Sequence, residues 1–302
     1  MILIGTRKSA LAQWQANQVR DLLNKIGYAS RLIVIESFGD KNLVEPIYSM
    51  GIKGVFTKSL DTALLNNKID IAIHSLKDVP TLLPKEIEIS AYLKRDNPYD
   101  IVVYNPNFID WNVSDIIGTG SLRRRAQWMR KFPKHKAENL RGNIQTRLKK
   151  LNKSKWGGAI FAKVGLERLD LLNENSYSVL EWMIPAPGQG TIGIASMKKN
   201  KKIASIIKEL NCEETMLCAE IERNFLRTIQ AGCSAPVGAY ACVKNQKINF
   251  KTGIFSIEGK DALFHEVEIP LDKAKGIGEK SAFQVLKKGG SKLMKKIKSQ
   301  MR

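Results

Sequence analysis

Three stretches of the sequence hold residues suited to chemistry. The apolar run Ile69-Asp70-Ile71-Ala72-Ile73-His74 ends in Ser75-Leu76-Lys77-Asp78-Val79-Pro80, so a carboxylate stands just beyond a short buried strand. Open α/β sheets place ligand chemistry on the turns that follow such strands, and Pro80 restricts Val79 to extended backbone. Asp78 is therefore a candidate for proton transfer or for stabilising a cation from a stiff turn; equally, it could cap a following helix. In the second stretch, Gly118-Thr119-Gly120-Ser121 precedes a helix that starts Leu122-Arg123-Arg124-Arg125. Cations are disfavoured in a first helical turn and a glycine turn ahead of a helix suits anions, so the misfit argues for a bound anion, although arginines on an exposed helix face often bind nothing. The third is Cys233, on a loop between a helix and a strand, which is the candidate reactive thiol. Cys218 on the helix and Cys242 in the strand read as core residues.

These groups need scaffolding, and 302 residues with 43% hydrophobic content are enough for two or three domains with ordinary cores. No run of about 18 apolar residues is present, and Met1-Ile2-Leu3-Ile4-Gly5-Thr6-Arg7 reads as a first strand rather than a secretion signal, which places the protein in the cytoplasm. The four cysteines lack Cys-x-x-Cys spacing and His74, His135 and His265 are scattered, so neither a metal site nor a disulfide framework is expected. The formal charge of +20 implies polyanionic partners or a generally basic surface. From Ser121 to Lys155 there are thirteen Lys/Arg against the single acid Glu138. Arginine is the side chain suited to bidentate carboxylate binding; the lysines of the C-terminal tail recur on a polar helix face and read as solvated.

In chain order, a strand at Ile2-Leu3-Ile4 and a tight turn with Arg7 and Ser9 lead to a helix over Ala10–Ile26, where Ser9 is also a plain N-cap. A strand over Arg31–Ser37 comes next, then a segment Phe38–Thr57 read as a long mobile loop over a site, and a helix over Lys58–Asn66. After strands at Ile87–Leu93 and Asp100–Tyr104, with a first hinge at Arg95-Asp96-Asn97-Pro98 between them, the strand-turn-helix plan repeats. Its pieces are Ile116–Gly118, a helix over Leu122–Lys131, a helix ending at Leu151, and strands at Gly158–Ala162 and Val164–Leu166. Pro185-Ala186-Pro187-Gly188-Gln189-Gly190 forms a second crossing, and Ile192–Ala195 returns to the first sheet. Two crossings between two similar α/β lobes describe a cleft that opens about a hinge. The rest reads as a small α+β domain: a helix over Glu213–Gln230 stopped by Gly232, strands at Ala239–Val243, Ile248–Phe255 and Leu263–Ile269, and one helix over Gly278–Lys298.

Taken together, Gly5-Thr6-Arg7-x-Ser9, Lys53-Gly54-x-Phe56, His74-Ser75-Leu76-Lys77-Asp78-Val79-Pro80, Gly118-Thr119-x-Ser121-Leu122-Arg123-Arg124, Leu140-Arg141-Gly142-Asn143, Thr146-Arg147-Leu148, Pro187-Gly188-Gln189-Gly190 and Gly232-Cys233 resemble the hydroxymethylbilane synthase (porphobilinogen deaminase) family. They occur in the family's order and fall in all three expected domains. The resemblance implies two periplasmic-binding-protein-like (transferrin-like) α/β domains around a cleft, residues 1–94 with 190–208 and residues 98–188, plus an α+β domain over 211–302. It implies a dipyrromethane cofactor joined to Cys233 as a thioether, assembled from porphobilinogen, with Asp78 as the catalytic carboxylate near the pyrrole nitrogens. Lys53, Ser75, Lys77, Thr119, Ser121, Arg123 and Arg124 would bind the cofactor. Arg7, Ser9, Gln15, Arg141, Arg147 and Arg168 would bind the acetate and propionate groups of the substrate. Gly120 stands where many relatives have a second serine, and Ala231 where glycine is common.

The charge pattern suits that chemistry. Each porphobilinogen brings two carboxylates, so a chain grown from two to six pyrroles carries up to about twelve negative charges in one cleft, and buried charges need partners. A nucleic-acid-binding reading, suggested by the charge and by Trp128 among the arginines, leaves the Asp78 turn and the Cys233 loop unexplained. So does a non-catalytic anion-binding module on a two-lobed scaffold. The expected partners are therefore small molecules, with no nucleic acid and no membrane, acting on a monomer.

Overall fold

The computed structural model describes residues 1–36 and 57–301. The first α/β unit consists of β1 (Ile2–Thr6), α1 (Ala10–Lys25), β2 (Ser30–Val34), α2 (Lys58–Leu65), β3 (Ile71–Ser75) and β4 (Ile87–Tyr92). The chain then enters a second unit of β5 (Asp100–Tyr104), β6 (Ile116–Gly118), α3 (Leu122–Lys131), β7 (Lys136–Glu138), α4 (Ile144–Lys153), β8 (Gly158–Ala162), α5 (Lys163–Glu167) and β9 (Tyr177–Val179). It returns through β10 (Ile192–Met197) and α6 (Lys201–Lys208). The third unit holds α7 (Glu213–Thr228), β11 (Val237–Lys244), β12 (Lys247–Phe255), β13 (Ala262–Pro270), α8 (Ile277–Val285) and α9 (Ser291–Gln300).

The first two sheets share one plan. Their orders are β2-β1-β3-β10-β4 and β7-β6-β8-β5-β9. In each, three parallel strands are followed by an antiparallel strand, β10 in the first and β5 in the second. Both antiparallel strands come directly from the interdomain crossings, so the chain passes from each sheet into the other. β3 shows why its run is apolar throughout: Ile71 and Ile73 pack with Ala16, Val19 and Leu23 of α1, while Ala72 packs with Leu60 and Leu64 of α2. A strand covered on both faces needs no polar alternation. The third unit is an antiparallel meander, β11-β12-β13. Its helices close over Phe225 and Phe250, whose rings meet edge to face at 5.8 Å.

The two crossings touch. Asp96 N–H donates to the Gly190 carbonyl at 3.2 Å. Gly190 has φ +88°, and a Cβ there would lie 2.7 Å from the Asp96 carbonyl, so only glycine fits. Helix α7 braces this junction through Glu222, which is 0% exposed. Its carboxylate accepts two bonds from Arg95 at 2.7 and 3.1 Å, one from Gly188 N–H at 2.6 Å and one from Ala241 N–H at 2.8 Å. One side chain thus joins both crossings to the third unit. Glu222→Ala leaves the Arg95 guanidinium buried without its counter-charge, and we expect a loss of roughly 3–5 kcal/mol, read as a lower urea midpoint.

Several expectations change. Val164-Gly165-Leu166 is helical, not a strand, because a short apolar run has no period that separates a buried helix from a strand. The last helix is two helices, broken where Gly289 takes φ +106°. Helix α7 turns at Gln230 (φ +54°), with Ala231 N–H donating to the Leu226 carbonyl, and not at Gly232. β7, β9 and α6 add to the elements expected from sequence. Phe38–Phe56, the greater part of the expected loop, lies outside the described residues, as does Lys53. Among the described residues, no helix is long and apolar enough to cross a membrane.

Candidate active site

β3 delivers its end to the cleft. Beyond Ser75 the backbone makes a 3-10 turn over Leu76–Asp78, and Val79 is extended (φ −82°, ψ 124°), as the following proline requires. From this turn Lys77 reaches the second crossing, where its Nζ donates to Gln189 Oε1 at 3.1 Å. Desolvation, then the charge of Arg124, pushes Lys77 down to about 8. Asp78 lines a cavity of about 80 Å³ together with Arg7, Ser9, Gln15, His74 and Ser75. Within it Gln15 Nε2 donates to Ser75 Oγ at 2.9 Å. Burial, then the Arg7 charge, holds His74 at about 4, so its ring is neutral at physiological pH.

Across the cleft, Ser121 caps α3 by accepting from Arg124 N–H at 3.4 Å, and Thr119 Oγ1 accepts from Ser121 N–H at 3.3 Å. The expected anion between the arginines is internal. Asp100, 0% exposed at the start of β5, accepts from Arg123 at 2.7 Å and from Arg124 Nε at 3.0 Å. Arg123 also donates to the Ile184 carbonyl and Arg124 to the Ile160 carbonyl. The misfit of cations in the first turn is thus answered within the protein. Burial alone would raise the Asp100 pKa, but the two guanidiniums outweigh it and hold the carboxyl far below the usual carboxylate range. The stability this contributes is fully present above the ordinary value of 3.8 and is lost as pH falls through the lower folded value. Asp100→Asn is expected to cost roughly 3–5 kcal/mol at neutral pH; urea midpoints measured down the pH scale should show its gap from wild type closing only under acid conditions below that ordinary value.

Arg147 sits among like charges. Burial, then Arg124 and Arg141, lowers it to about 10, while Asp78 pulls it the other way. Its Nε donates to the Gly142 carbonyl at 2.8 Å, and Arg141 is buried beside it. Gly120 sits where a Cβ would approach the Leu140 carbonyl to 2.6 Å, so a serine would require this backbone to shift. Arg168 is placed differently: it donates to Asp96 at 2.7 Å and to the Gly190 carbonyl at 3.0 Å, at the junction of the crossings. Trp128 is 1% exposed and packed on Phe132 and His135, out of reach of a nucleic-acid base.

Cys233 approaches from the third unit. It is exposed, and its Sγ donates to the Val79 carbonyl at 3.5 Å, one residue from Asp78. Partial desolvation by the surrounding protein, then the Asp78 charge, pushes the thiol up to about 11, against the opposing pull of Arg223. The thiol, one carboxylate and a group of cations converge from three separate parts of the chain.

The comparisons with known proteins agree along its length. Residues 2–205 match the family model described as "Porphobilinogen deaminase, dipyromethane cofactor binding domain", and residues 216–287 match "Porphobilinogen deaminase, C-terminal domain". The chain belongs to the porphobilinogen deaminase family. It is 40% identical over 288 residues to the probable porphobilinogen deaminase of Methanocaldococcus jannaschii, covering 93% of this chain and 98% of that one. It is 35% identical over 298 residues to the porphobilinogen deaminase of Methylobacillus flagellatus (97% and 96% covered), and 34% identical over 302 residues to that of Carboxydothermus hydrogenoformans (98% and 97%). Against this family background, Asp100, Gln189, Glu222 and Arg223 are site or junction residues that sequence reasoning missed. Only Gln189 had a local signal, within Pro187-Gly188-Gln189-Gly190.

Proposed function

We propose that the cleft carries out the family reaction: stepwise condensation of four porphobilinogen molecules, with loss of ammonia at each step, onto a dipyrromethane primer held as a thioether on Cys233, followed by hydrolytic release of the linear tetrapyrrole hydroxymethylbilane. The observation that carries this reading is the meeting of Cys233 Sγ with the Asp78 turn at the Val79 carbonyl, 3.5 Å away, although the two residues are 154 positions apart in sequence. Such a meeting is expected where a covalently held group must be presented to a carboxylate.

The donor set fits that group. The thiol faces the cleft, and Lys77, Arg124, Arg141 and Arg147 form a cluster where cations depress one another, with Asp78 and Asp100 as the carboxylates acting among them. An excess of buried positive charge is relieved by a ligand with several carboxylates. When bound, the primer supplies the electron-rich pyrrole carbon to which each new unit joins. Asp78 faces the cation left on the incoming unit when ammonia departs, then accepts the proton released as the new carbon–carbon bond restores the pyrrole. Arg7, Ser9, Gln15 and Ser75 hold acetate and propionate groups in the cavity beside Asp78. Arg123 acts with Arg124 from the Asp100 pair, Thr119 and Ser121 from the turn before α3, and Lys53 from outside the described residues. Arg168 reaches substrate from the hinge.

On this reading residues 1–94 with 190–208 and residues 98–188 are lobes of the periplasmic-binding (transferrin-like) type, residues 211–302 carry the cofactor loop, and the protein works as a cytoplasmic monomer on a small-molecule substrate. The shared plan of the two five-stranded sheets supports it. The deciding experiment is the intact mass of the denatured protein. An excess of two porphobilinogens less two ammonias, mapped to the Cys233 peptide, is the expected result; a chain that stays unmodified after incubation with porphobilinogen or hydroxymethylbilane sinks the proposal.

A further inference from the structure

Arg223, on the turn of α7 next to Glu222, has no part in the roles above. Its two terminal nitrogens donate to consecutive backbone carbonyls of the catalytic turn, Nη1 to Val79 at 2.9 Å and Nη2 to Pro80 at 2.8 Å. The Val79 carbonyl is the same oxygen that accepts from Cys233 Sγ. A guanidinium fork matched to two successive carbonyls fixes direction as well as distance. The neighbouring Glu222 anchors the same helix to both crossings, so the fork is held on a rigid base. Pro80 contributes no N–H, and the segment after it, Thr81–Pro84, forms no regular structure. The Arg223 fork is thus a long-range restraint placed directly behind Asp78.

We propose that Arg223 is a positioning residue: it locks the Val79-Pro80 backbone so that the Asp78 carboxylate and the Cys233 sulfur keep a fixed separation. This rests on the reading of Asp78 and Cys233 given above. The groups facing the thiol are Asp78 from the catalytic turn and Arg223 from α7, which act on it in opposite directions. Those facing the guanidinium are Tyr92 from β4, Cys233, and Arg227 and Glu220 from its own helix. Arg223 therefore acts twice, through the backbone of the turn and by its charge beside the sulfur.

The test uses full-length Arg223→Gln and Arg223→Lys, each made both with and without porphobilinogen supply. In the unmodified chains, amide hydrogen exchange over residues 76–81 and iodoacetamide labelling of the Cys233 peptide are followed by mass spectrometry; in the loaded enzymes, kcat and KM are measured separately. For Arg223→Gln we expect faster exchange in the 76–81 segment and Cys233 labelling slowed about three- to tenfold at fixed pH as the thiolate fraction falls. We also expect kcat lowered up to about 10²-fold with KM within about twofold, since misplacement rather than lost substrate contact is the cause. Arg223→Lys, which keeps the charge but only one arm of the fork, should restore the labelling rate and only part of kcat. Unchanged exchange together with unchanged kcat overturns the proposal, and so does a raised KM at constant kcat, which would make Arg223 a substrate-binding group. If Arg223→Gln does not fold, Arg223→Lys decides by the same exchange and kcat readings. Failure of the parent reading would show separately, as a wild-type chain that takes up no adduct, and the exchange result would still decide whether Arg223 holds the turn.

Discussion

Asp78→Asn is expected to fold like wild type and to lose porphobilinogen turnover by roughly 10²- to 10⁴-fold, the range for removal of a positioned acid–base group. The amide keeps the size and shape of the carboxylate. The 3-10 turn over Leu76–Asp78 is held by backbone bonds, by Arg223 on Val79 and Pro80 and by Lys77 on Gln189, none of which uses the Asp78 side chain. What disappears is a negative charge among Lys77, Arg124 and Arg147 and a site that can accept a proton. A second reading comes from Cys233. The Asp78 charge is the second cause, after desolvation, of the raised thiol pKa, so in Asp78→Asn that pKa should fall and iodoacetamide should label Cys233 faster at fixed pH. Steady-state turnover within threefold of wild type would remove Asp78 from the chemistry, whatever the labelling shows.

Cys233→Ser is expected to abolish turnover by leaving no attachment point. The residue is exposed on the loop after α7, and its bond to the Val79 carbonyl is of a kind that a serine hydroxyl can also make, so folding should be unaffected. On the reading proposed above, the wild-type sulfur would form its bond to the aminomethyl carbon of the first porphobilinogen as the carbon–nitrogen bond breaks, the amine leaving as ammonia with the thiol's proton. A serine hydroxyl is a far weaker nucleophile near neutrality. Cys218→Ser and Cys242→Ser should retain the adduct: Cys218 is buried against the third unit's core, and Cys242 lies within β11, away from the Asp78 turn. The intact mass of the three variants checks this, and an adduct surviving in Cys233→Ser would refute the assignment.

Much of the fold could be read because local signals were strong. The helix over Leu122–Lys131 has its expected bounds, α1 and α7 end within two residues of theirs, and Ile192–Met197 does return to the first sheet. In each case a regular apolar period or a capping residue marks the element. The misread pieces lacked such marks. Val164–Leu166 is too short for a period to show, and Gly289 breaks a helix whose lysine-rich face continues on both sides. The arginines of α3 could be recognised as a misfit, but their counter-ion, Asp100, lies 23 and 24 residues earlier in the chain, at the start of another strand.

The sequence by itself determined which groups are available: one carboxylate on a proline-stiffened turn, one cysteine on a loop, a stretch dense in arginine, and two crossings, one ending in proline and the other rich in proline and glycine. Motif order alone was enough to indicate the family. Only the tertiary structure decided which of those groups meet. It placed Cys233 against the Asp78 turn, sent Lys77 to Gln189, gave Arg123 and Arg124 an internal partner, drew Arg168 to the hinge and tied the whole through Glu222 and Arg223. The physical reason is that turns, caps and strand periods arise from neighbours in sequence, whereas buried charges must find partners across sheets and domains, and no local pattern records those pairings.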